Sequence, residues 1–341
     1  MTEKDSTLLE VKGLKTWFHT FKGVVKAVDD VSFSLSRGEI LGIVGESGSG
    51  KSVTSFSILK LIDPPGKVEA EQILFDGKDL SRLSEKEMTK IRGRDISMVF
   101  QDPMTSLNPL YTVQRQMEEM LILHAPELSR SQRRERCIEL LRAVGIPNPE
   151  DRLKAYPHQF SGGMRQRVII AIALATKPKL LIADEPTTAL DVTIQAQILR
   201  LMKRLVHENG TSLILITHDL AVVSEMVDRI NVMYCGKLVE TGTTEDVIYR
   251  SAHPYTEGLL RSIPKLREVR DRLDFIPGMV PNMFELPEGC YFAPRCRYCQ
   301  ELCRTKQPAM REVAPGHFAA CHFPLEAGNA LTDSENREGE S

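Results

Sequence analysis

The segment with the clearest chemistry is the glycine-rich run Gly45-Glu46-Ser47-Gly48-Ser49-Gly50-Lys51-Ser52, which has the spacing G-x-x-x-x-G-K-[ST]. Its glycines let successive backbone N–H groups wrap around a phosphate, and the helix that follows adds the positive end of its dipole. Lys51 would reach the β- and γ-phosphates, and Ser52 would bind Mg²⁺. The run lies between a predicted strand, 40–44, and a predicted helix, 51–62, as this motif requires. The sequence therefore predicts a nucleotide site.

Two further segments carry groups that could act on a bound nucleotide. The apolar run 180–183 is typical of a buried strand, and Asp184 and Glu185 follow it directly. A carboxylate at a strand end can hold Mg²⁺ through water, and the next carboxylate can orient or polarise the attacking water. Ser161-Gly162-Gly163 opens an apolar helix, whose first N–H groups suit an anion. A chain with two helix starts suited to phosphate needs an explanation.

The elements that must position these residues alternate between strands and helices. Short apolar runs at 180–183 and 213–216 are typical of strands buried on both faces of a sheet, and helix-length segments separate them. The segment from about 110 to about 178 has a mainly helical pattern. Ser84-x-x-Glu87 and Ser129-x-x-Gln132 fit capping boxes that begin helices. The sequence therefore predicts an α/β fold.

Composition excludes several classes of protein. Hydrophobic residues make up 42% and charged residues 26%, a balance that excludes a wholly disordered chain. The 44 Lys and Arg nearly cancel the 46 Asp and Glu, which makes the chain a poor candidate for a nucleic-acid coat. The longest apolar run, 168–175, is far below the ~18–20 residues of a membrane span, and the polar start does not resemble a secretory signal. We therefore expect a cytoplasmic protein that could dock on a membrane protein.

The character of the sequence changes after about residue 250, where prolines recur. Two cysteines, Cys137 and Cys235, are isolated, whereas five fall close together: Cys290, Cys296, Cys299, Cys303 and Cys321. In a reducing cytosol such a cluster favours a metal site over disulfides. Residues 326–341 hold five acidic residues and one Arg among few large apolar side chains. These patterns predict a separate, irregular appendage followed by a disordered acidic tail.

In their order along the chain, the motifs resemble those of an ATP-binding-cassette (ABC) ATPase. The resemblance covers about residues 8–250 and rests on the phosphate loop, Gln101, Ser161-Gly162-Gly163, Asp184-Glu185, Ala189-Leu190-Asp191 and His218. The signature departs from the commonest Leu-Ser-Gly-Gly-Gln form at Phe160 and Met164, but it keeps the Ser and Gly that face phosphate. The resemblance implies an ABC-type P-loop core with a mixed β-sheet and helices, an antiparallel β-subdomain, and an α-helical subdomain at about 102–178.

For each matching residue the resemblance implies a role toward ATP and Mg²⁺. Phe18 resembles the aromatic that stacks on adenine; its neighbour Trp17 is a rival, and a strand-face aromatic without a nucleotide role stays open as the alternative. Gln101 resembles the glutamine that contacts Mg²⁺ and relays nucleotide state to the membrane partner, and His218 resembles the histidine that holds the γ-phosphate. The implied catalytic set is Glu185, His218 and Gln101, and the implied Mg²⁺ ligands are Ser52, Gln101 and Asp184. The nucleotide-binding set adds Gly45, Ser47, Gly48, Ser49, Gly50 and Lys51.

The resemblance also implies that the nucleotide sites are shared between two chains. Ser161 and Gly163 resemble residues that bind the γ-phosphate held by the opposite subunit, and Asp191 resembles an aspartate that acts across the interface. A helix that serves another chain's ATP is useless in a monomer. Two subunits should therefore sandwich two nucleotides head to tail, closing when ATP binds and reopening after hydrolysis.

The region after residue 250 resembles the C-terminal region of oligopeptide and dipeptide permease ATPases, most closely the D-type subunit. The matching segments are His253-Pro254-Tyr255-Thr256, Ile276-Pro277-Gly278, Pro281-Asn282 and 289–296, and the stretch 102–109 also fits this group. The resemblance implies a C-terminal domain at 251–325. It also implies partners: a second, F-type ATPase, two transmembrane permease subunits, and an extracytoplasmic substrate-binding protein. The expected place is the cytoplasmic face of the membrane, as a peripheral subunit.

Several members of this group carry a [4Fe–4S] cluster on four cysteines. The matching positions here are Cys290, Cys296, Cys303 and Cys321, with the spacing C-x5-C-x6-C-x17-C. Thiolates suit iron–sulfur or zinc, and Cys299 creates a C-x2-C pair with Cys296 that could serve zinc. A cluster, zinc and no metal all remain open at this stage.

The resemblance implies an ATP-hydrolysing subunit that couples ATP binding and hydrolysis to uptake of dipeptides or oligopeptides. Another cargo, such as a nickel chelate, stays open, because selectivity would lie in other subunits. The rivals from other classes are a soluble nucleic-acid-associated ABC ATPase and a redox sensor. The first usually has tandem cassettes, long coiled-coil insertions or basic linkers, and none is visible here; intact Glu185 and His218 argue against the second.

Overall fold

The computed structural model describes residues 7–102, 106–188, 190–263 and 275–326. The chain forms two compact units, the first made of the described parts of 1–9, 35–40 and 75–216, the second of those of 10–34, 41–74 and 217–341. Residues 327–341 of the expected acidic tail lie outside the described residues. The tail stays a prediction, as do the domain boundaries.

The strands of the described chain are β1 (Thr7–Thr20), β2 (Gly23–Ser36), β3 (Ile40–Val44), β4 (Gly66–Glu69), β5 (Gln72–Phe75), β6 (Lys78–Asp79), β7 (Ile96–Val99), β8 (Leu180–Asp184), β9 (Ser212–Thr217), β10 (Arg229–Tyr234), β11 (Lys237–Thr243), β12 (Arg311–Ala314) and β13 (His317–Ala319). The helices are α1 (Lys51–Ile58), α2 (Glu85–Ile91), α3 (Val113–His124), α4 (Arg130–Ala143), α5 (Pro149–Arg152), α6 (Gly162–Ala173), α7 (Val192–Asn209), α8 (Leu220–Met226), α9 (Thr244–Tyr249), α10 (Pro254–Arg261) and α11 (Glu301–Thr305). Short 3₁₀ turns cover Leu80–Arg82, Pro157–Gln159 and Ala293–Arg295.

The first unit contains three neighbouring parallel strands, in the order β7-β8-β9. Ile96 pairs with Leu180, and Asp184 pairs with Ile216. Every residue of β8 and of β9 is buried, as their continuous apolar runs predict for strands covered on both faces. This register places Asp184 at the carboxyl end of a buried strand, where the polar residues of such sheets meet ligands.

Helices of the first unit pack beside one another: α3 contacts α4 and α6, α4 contacts α6, and α6 contacts α7. The helices α3, α4 and α6 fall within the segment of about 110 to 178 whose pattern predicts helices, whereas α7 lies beyond it. The predicted capping boxes at the starts of α2 and α4 are both present. In α7 the buried residues recur every three or four positions, which gives the helix one apolar face. These are Ile198, Leu199, Leu201, Met202, Leu205 and Val206.

The second unit contains a mixed sheet and an antiparallel arrangement. In the mixed sheet the strand order is β12-β13-β11-β10-β3; β10 runs parallel to β3, whereas β11 is antiparallel to both β10 and β13. In the other, β1 lies between β2 and β5 and also pairs with β4 in antiparallel fashion. The last pair in the parallel register of β3 and β10 joins Val44 to Val232. Val44 directly precedes the phosphate loop in the chain. The predicted combination of mixed sheet, antiparallel strands and helices is therefore present.

The part of the chain after residue 275 differs from the expected separate and irregular appendage. It is irregular up to about α11, but β12 and β13 then form a hairpin, and Ala319 of β13 pairs with Glu240 of β11. The Glu240 carboxylate is fully buried and accepts bonds from the N–H groups of Ala252 (2.7 Å) and His253 (3.1 Å), and it lies 2.8 Å from His317 Nε2. A buried carboxylate must be bonded in this way, and it ties β11 to the later segment.

Candidate nucleotide-binding site

The phosphate loop follows β3 and leads into α1. Gly45 has φ 154° and Gly50 has φ 101°, both in the region that favours glycine. A Cβ atom at Gly45 would lie 2.2 Å from the Met233 carbonyl oxygen, and one at Gly50 would lie 2.3 Å from the Ala27 carbonyl oxygen. Both glycines are therefore required by close backbone approaches as well as by their dihedral angles. The helix after the loop is shorter than predicted and ends at Ile58, because Lys60 adopts a left-handed φ of 52°.

The Lys51 side chain is buried, with 4% of its surface exposed. Its Nζ donates to the carbonyl oxygens of Gly45 (2.7 Å) and Glu46 (2.9 Å) and lies 3.4 Å from Ser49 Oγ. The ammonium is therefore held within the loop whose amides are expected to surround a phosphate. Ser52 is the second residue of α1 and is half-buried. The loop thus concentrates positive charge and backbone donors at a helix N-terminus, which is suited to a polyphosphate.

A carboxylate site lies at the end of β8 in the first unit. Asp184 is 2% exposed, and Glu185 follows it with a left-handed φ of 43°. The Glu185 N–H donates to the Ile216 carbonyl oxygen at 2.9 Å. Its Oε2 accepts from Gln101 Nε2 and from Thr188 Oγ1, each at 2.9 Å. A non-glycine residue held in this strained region at a strand end is typical of a functional site.

The structure thus brings together two of the three predicted catalytic residues. Gln101 and Glu185 are 84 positions apart in the sequence and share a direct hydrogen bond. A further residue, Thr188, also bonds to the Glu185 carboxylate, but it is not among the predicted site residues. Its hydroxyl is three residues after Glu185, a spacing at which a Thr side chain can reach a carboxylate in a tight turn. That spacing is the signal by which Thr188 could have been found.

The Ser161-Gly162-Gly163 signature begins α6 and leaves the helix end exposed. Ser161 is the N-cap, and its Oγ accepts from the Met164 N–H at 3.3 Å. A Cβ atom at Gly163 would lie 2.8 Å from Ile194 Cγ2, so glycine is needed for close packing against α7. Asp191 caps α7, because its Oδ1 accepts from the Ile194 N–H at 3.0 Å. Ile194 thus bonds to Asp191 through its N–H group and lies against Gly163 of the signature through its side chain. Ala189 lies outside the described residues.

The remaining predicted nucleotide contacts lie in the second unit. His218 directly follows β9 and is exposed. Phe18 and Trp17 are neighbours on β1, and both are half-buried. Phe18 is paired with Gly66 of β4, where a Cβ atom would lie 2.8 Å from the Phe18 ring, whereas Lys26 Nζ lies 4.9 Å from the centre of the Trp17 ring. Adjacent strand residues point to opposite faces, so only one of the two can face adenine, and the choice stays a prediction.

Four of the clustered cysteines line one small cavity: Cys290, Cys296, Cys303 and Cys321. The Cys290 N–H donates to the Cys303 carbonyl oxygen at 2.7 Å. Cys299 does not line this cavity. Burial raises the pKa of the Cys290 thiol to about 11 and that of Cys296 to about 12. The set matches the four predicted ligands, although no group of three or more His, Cys, Asp or Glu among the described residues is arranged to hold a metal ion.

The described helices include none that is both long enough and apolar enough to cross a bilayer.

Comparisons with known proteins match two parts of the chain to family models. Residues 28–188 match the model "ABC transporter", and residues 239–303 match "Oligopeptide/dipeptide transporter, C-terminal region". The first match includes the phosphate loop, the signature and the carboxylates after β8. The second includes α10 and three of the cysteines that line the cavity.

Curated relatives match nearly the whole chain. The chain is 51% identical over 319 residues to the dipeptide transport ATP-binding protein DppD of Escherichia coli (strain K12), covering 94% of this chain and 97% of that protein. It is 52% identical to the oligopeptide transport ATP-binding protein AppD of Bacillus subtilis (strain 168), covering 95% and 98%. Among solved structures, the ATP-binding cassette MJ0796, described as dimeric in a post-hydrolysis state bound to ADP and Pi, matches with 32% identity and a TM-score of 0.62. That match covers 69% of this chain and 98% of the cassette.

Proposed function

The chain belongs to the family of ATP-binding subunits of oligopeptide and dipeptide ABC transporters, and on that premise we propose that it hydrolyses ATP to drive peptide uptake across the cytoplasmic membrane. The observation that carries the proposal is the identity of 51% to a dipeptide transport ATP-binding protein, which extends over 94% of this chain and so includes the C-terminal region. Its place would be the cytoplasmic face of the membrane, as a peripheral subunit beside two permease subunits and an extracytoplasmic substrate-binding protein.

In the proposed reaction, water attacks the γ-phosphate of ATP, and the protein contributes positioning and electrostatics. The loop amides of Ser47, Gly48, Ser49 and Gly50, which follow the turn at Gly45, would surround the phosphates, and Lys51 would neutralise their charge. Glu185 would orient and polarise the water; its Oε2 is already fixed by Gln101 and Thr188. His218 would hold the γ-phosphate, and Phe18 would stack on adenine. These assignments rest on the match of residue types and on the geometry of each motif.

The residues that would hold Mg²⁺ are Ser52, Gln101 and Asp184. Oxygen donors of this kind suit the ion, and the Asp184 carboxylate stands at the end of a buried strand with 2% of its surface exposed. Mg²⁺ would neutralise charge on the β- and γ-phosphate oxygens.

We further propose that two ATPase chains share each nucleotide. The exposed N-terminus of α6, with Ser161 and Gly163, would bind the γ-phosphate carried by the opposite subunit, and Asp191 would act beside it across the interface. The fit of an exposed helix end to an anion supports this arrangement. The opposite subunit would be a homologous, F-type ATPase, which makes the pair a heterodimer.

The partner set can be tested by purifying the chain from its native membrane through an affinity tag. We expect two membrane permeases and a second ATPase to co-purify, and the binding protein encoded with them to bind a peptide. Recovery of a second copy of this chain in place of another ATPase would overturn the heterodimer. Stable RNA or DNA in the complex would favour the nucleic-acid alternative, and a nickel chelate on the binding protein would replace peptide as the cargo.

The cysteines that line one cavity support a [4Fe–4S] cluster on Cys290, Cys296, Cys303 and Cys321. Iron–sulfur clusters are held by four thiolates, and this donor set meets that need, whereas zinc would be supported by Cys296 with Cys299. The raised thiol pKa values are those of buried cysteines without a cation; a bound metal ion favours the thiolate. We therefore propose the cluster as a further cofactor beside Mg²⁺.

Two cysteine variants distinguish these ligand sets. After anaerobic purification, Cys290→Ser is expected to lose the visible absorbance and most of the iron, because one of four thiolates is missing. Cys299→Ser is the matched control and should keep both, since Cys299 does not line the cavity. Iron and zinc are measured by elemental analysis. Zinc without iron in the unmodified chain, or loss of the metal in Cys299→Ser, would contradict the assignment.

A further inference from the structure

The phosphate loop contains a carboxylate that its proposed role does not explain. Glu46 is the second residue of the loop, directly after Gly45, and 30% of its side chain is exposed. A negative charge there would repel the triphosphate that the loop is expected to bind, and the repulsion is strong where water is partly excluded. A cation beside Glu46 would weaken that repulsion.

The cation that meets Glu46 comes from a segment 249 positions later. Arg295 Nη1 donates to Glu46 Oε2 at 2.7 Å, and its Nη2 donates to Oε1 at 3.0 Å. Both oxygens of the carboxylate are therefore used in a parallel, two-point pair, a geometry that lysine cannot reproduce. The Arg295 side chain is only 4% exposed, so solvent screens this pair less than a surface salt bridge.

Contacts with residues other than Glu46 also hold Arg295 in place. Its Nε donates to the Pro277 carbonyl oxygen at 3.2 Å, and its guanidinium lies 5.9 Å from the centre of the Tyr234 ring and 6.0 Å from that of Phe292. Burial by itself would lower the pKa of Arg295. Its bonds to the Glu46 carboxylate and the Tyr234 hydroxyl, together with the negative charge of Glu46, outweigh burial, so the pKa of Arg295 lies above its ordinary value. The Arg295 guanidinium is thus held by several contacts in addition to its pair with Glu46.

The backbone of Glu46 is held from the same side. The Glu46 N–H donates to Tyr255 Oη at 2.9 Å, and Tyr255 in α10 is fully buried against Tyr234, with 4.6 Å between ring centres. The Glu46 carbonyl oxygen accepts from Lys51 Nζ. All three polar groups of Glu46 therefore have partners, and two of the three partners lie in the segment after β11.

We propose that Arg295 is a positioning residue for ATP, which neutralises Glu46 and fixes it so that the loop presents a net positive surface to the triphosphate. The C-terminal segment then sets the nucleotide affinity of the phosphate loop. The inference rests on the proposed binding of ATP at this loop.

Charge neutralisation and simple structural support predict different effects for the two partners. If Arg295 acts by cancelling charge, Arg295→Met weakens ATP binding, because Glu46 is left uncompensated. Glu46→Gln then does not weaken it, because the repelling charge is gone. If the pair only holds the loop in shape, both changes weaken ATP binding, since Arg295→Met removes both bonds and Glu46→Gln removes one of the two acceptor oxygens.

The test measures the Kd for ATP by equilibrium titration of the full-length chain in its transporter complex. We expect Arg295→Met to raise Kd at least about tenfold, and less at high salt because the repulsion is screened. Glu46→Gln and the double variant should stay within about threefold of the unmodified chain. Arg297→Met is the matched control, because Arg297 pairs with Glu257 at 2.6 Å and does not touch the loop, and it should leave Kd unchanged.

A Kd for Arg295→Met within about threefold of the unmodified chain would overturn the inference, and so would a loss in Glu46→Gln equal to that in Arg295→Met. Circular dichroism and melting temperature show whether each variant folds. If Arg295→Met does not fold, the Kd of Glu46→Gln for ATP decides between the two explanations. A Kd raised by more than about threefold contradicts charge neutralisation, and a smaller change supports it. Failure of the unmodified chain to bind ATP would instead contradict the proposed function.

Discussion

Glu185→Gln is expected to lower kcat for ATP hydrolysis by at least about 100-fold, while ATP still binds. The substitution keeps the size of the side chain and an oxygen that can accept the bonds from Gln101 and Thr188, but it removes the carboxylate charge that is proposed to polarise water. General bases contribute roughly 10²- to 10⁴-fold to such reactions, which sets the scale of the loss. Because hydrolysis would reopen the proposed shared sites, the variant should also accumulate as an ATP-bound pair of ATPase subunits.

Hydrolysis is measured as phosphate release at saturating ATP, and assembly by size-exclusion chromatography with and without ATP. Glu208→Gln is a matched control. Glu208 is exposed near the end of α7, and its ion pair with Arg204 is long, at 3.9 Å. Loss of the Glu208 charge should therefore change neither the hydrolysis rate nor the assembly. If Glu185→Gln hydrolyses ATP at the normal rate, Glu185 is not the residue that polarises water. If Glu185→Gln binds ATP with a normal Kd but does not assemble when ATP is added, the shared-site arrangement is contradicted. The assignment of Glu185 as the residue that polarises water would be unaffected by that result.

Lys51→Met is expected to raise the Kd for ATP at least about 100-fold and to reduce hydrolysis below detection at cellular ATP concentrations. The ammonium is the loop's own cation, and without it the loop itself offers the phosphates only backbone dipoles and hydroxyl groups. Methionine keeps the length of the aliphatic stem, which is buried with 4% of the residue exposed. It cannot donate to the carbonyl oxygens of Gly45 and Glu46, so loss of loop order adds to loss of charge.

The measurement is the same ATP titration, with the melting temperature of the ATP-free protein recorded in parallel. Lys86→Met serves as the control, because Lys86 is exposed on α2 and no role in nucleotide binding is proposed for it. A Lys51→Met chain that folds and binds ATP within about tenfold of the unmodified protein would contradict the assigned role of the loop. A fall in melting temperature alone would show only that Lys51 supports the loop's shape.

The C-terminal segment would act on the energy-coupling step through its contact with the phosphate loop. Arg295 directly precedes Cys296, one of the four cysteines that line the cavity, and the same short segment carries Phe292 beside Tyr234 and Tyr255. Any change in the packing of this segment therefore reaches the phosphate loop through the two-point bond to Glu46. In this chain the later segment would be part of the ATP site.

The sequence alone determined the features whose chemistry is local. The phosphate loop could be recognised because glycine, lysine and serine at fixed spacing form one continuous binding element. The buried strands β8 and β9 and the capped starts of α2 and α4 could be predicted for the same reason, since periodicity and capping act within a few residues. The order of the motifs then indicated the family, and the relatives confirm it.

Only the tertiary structure decided which distant residues meet. The bond between Gln101 and Glu185 spans 84 positions, and that between Arg295 and Glu46 spans 249, and neither spacing carries a local pattern. The strands β12 and β13 lie in a stretch that the sequence marks as irregular, yet they form a hairpin whose strand β13 pairs with β11, because a sheet edge and the buried Glu240 were available there. Such contacts depend on strand register and on the packing of remote segments, which no short window of sequence records.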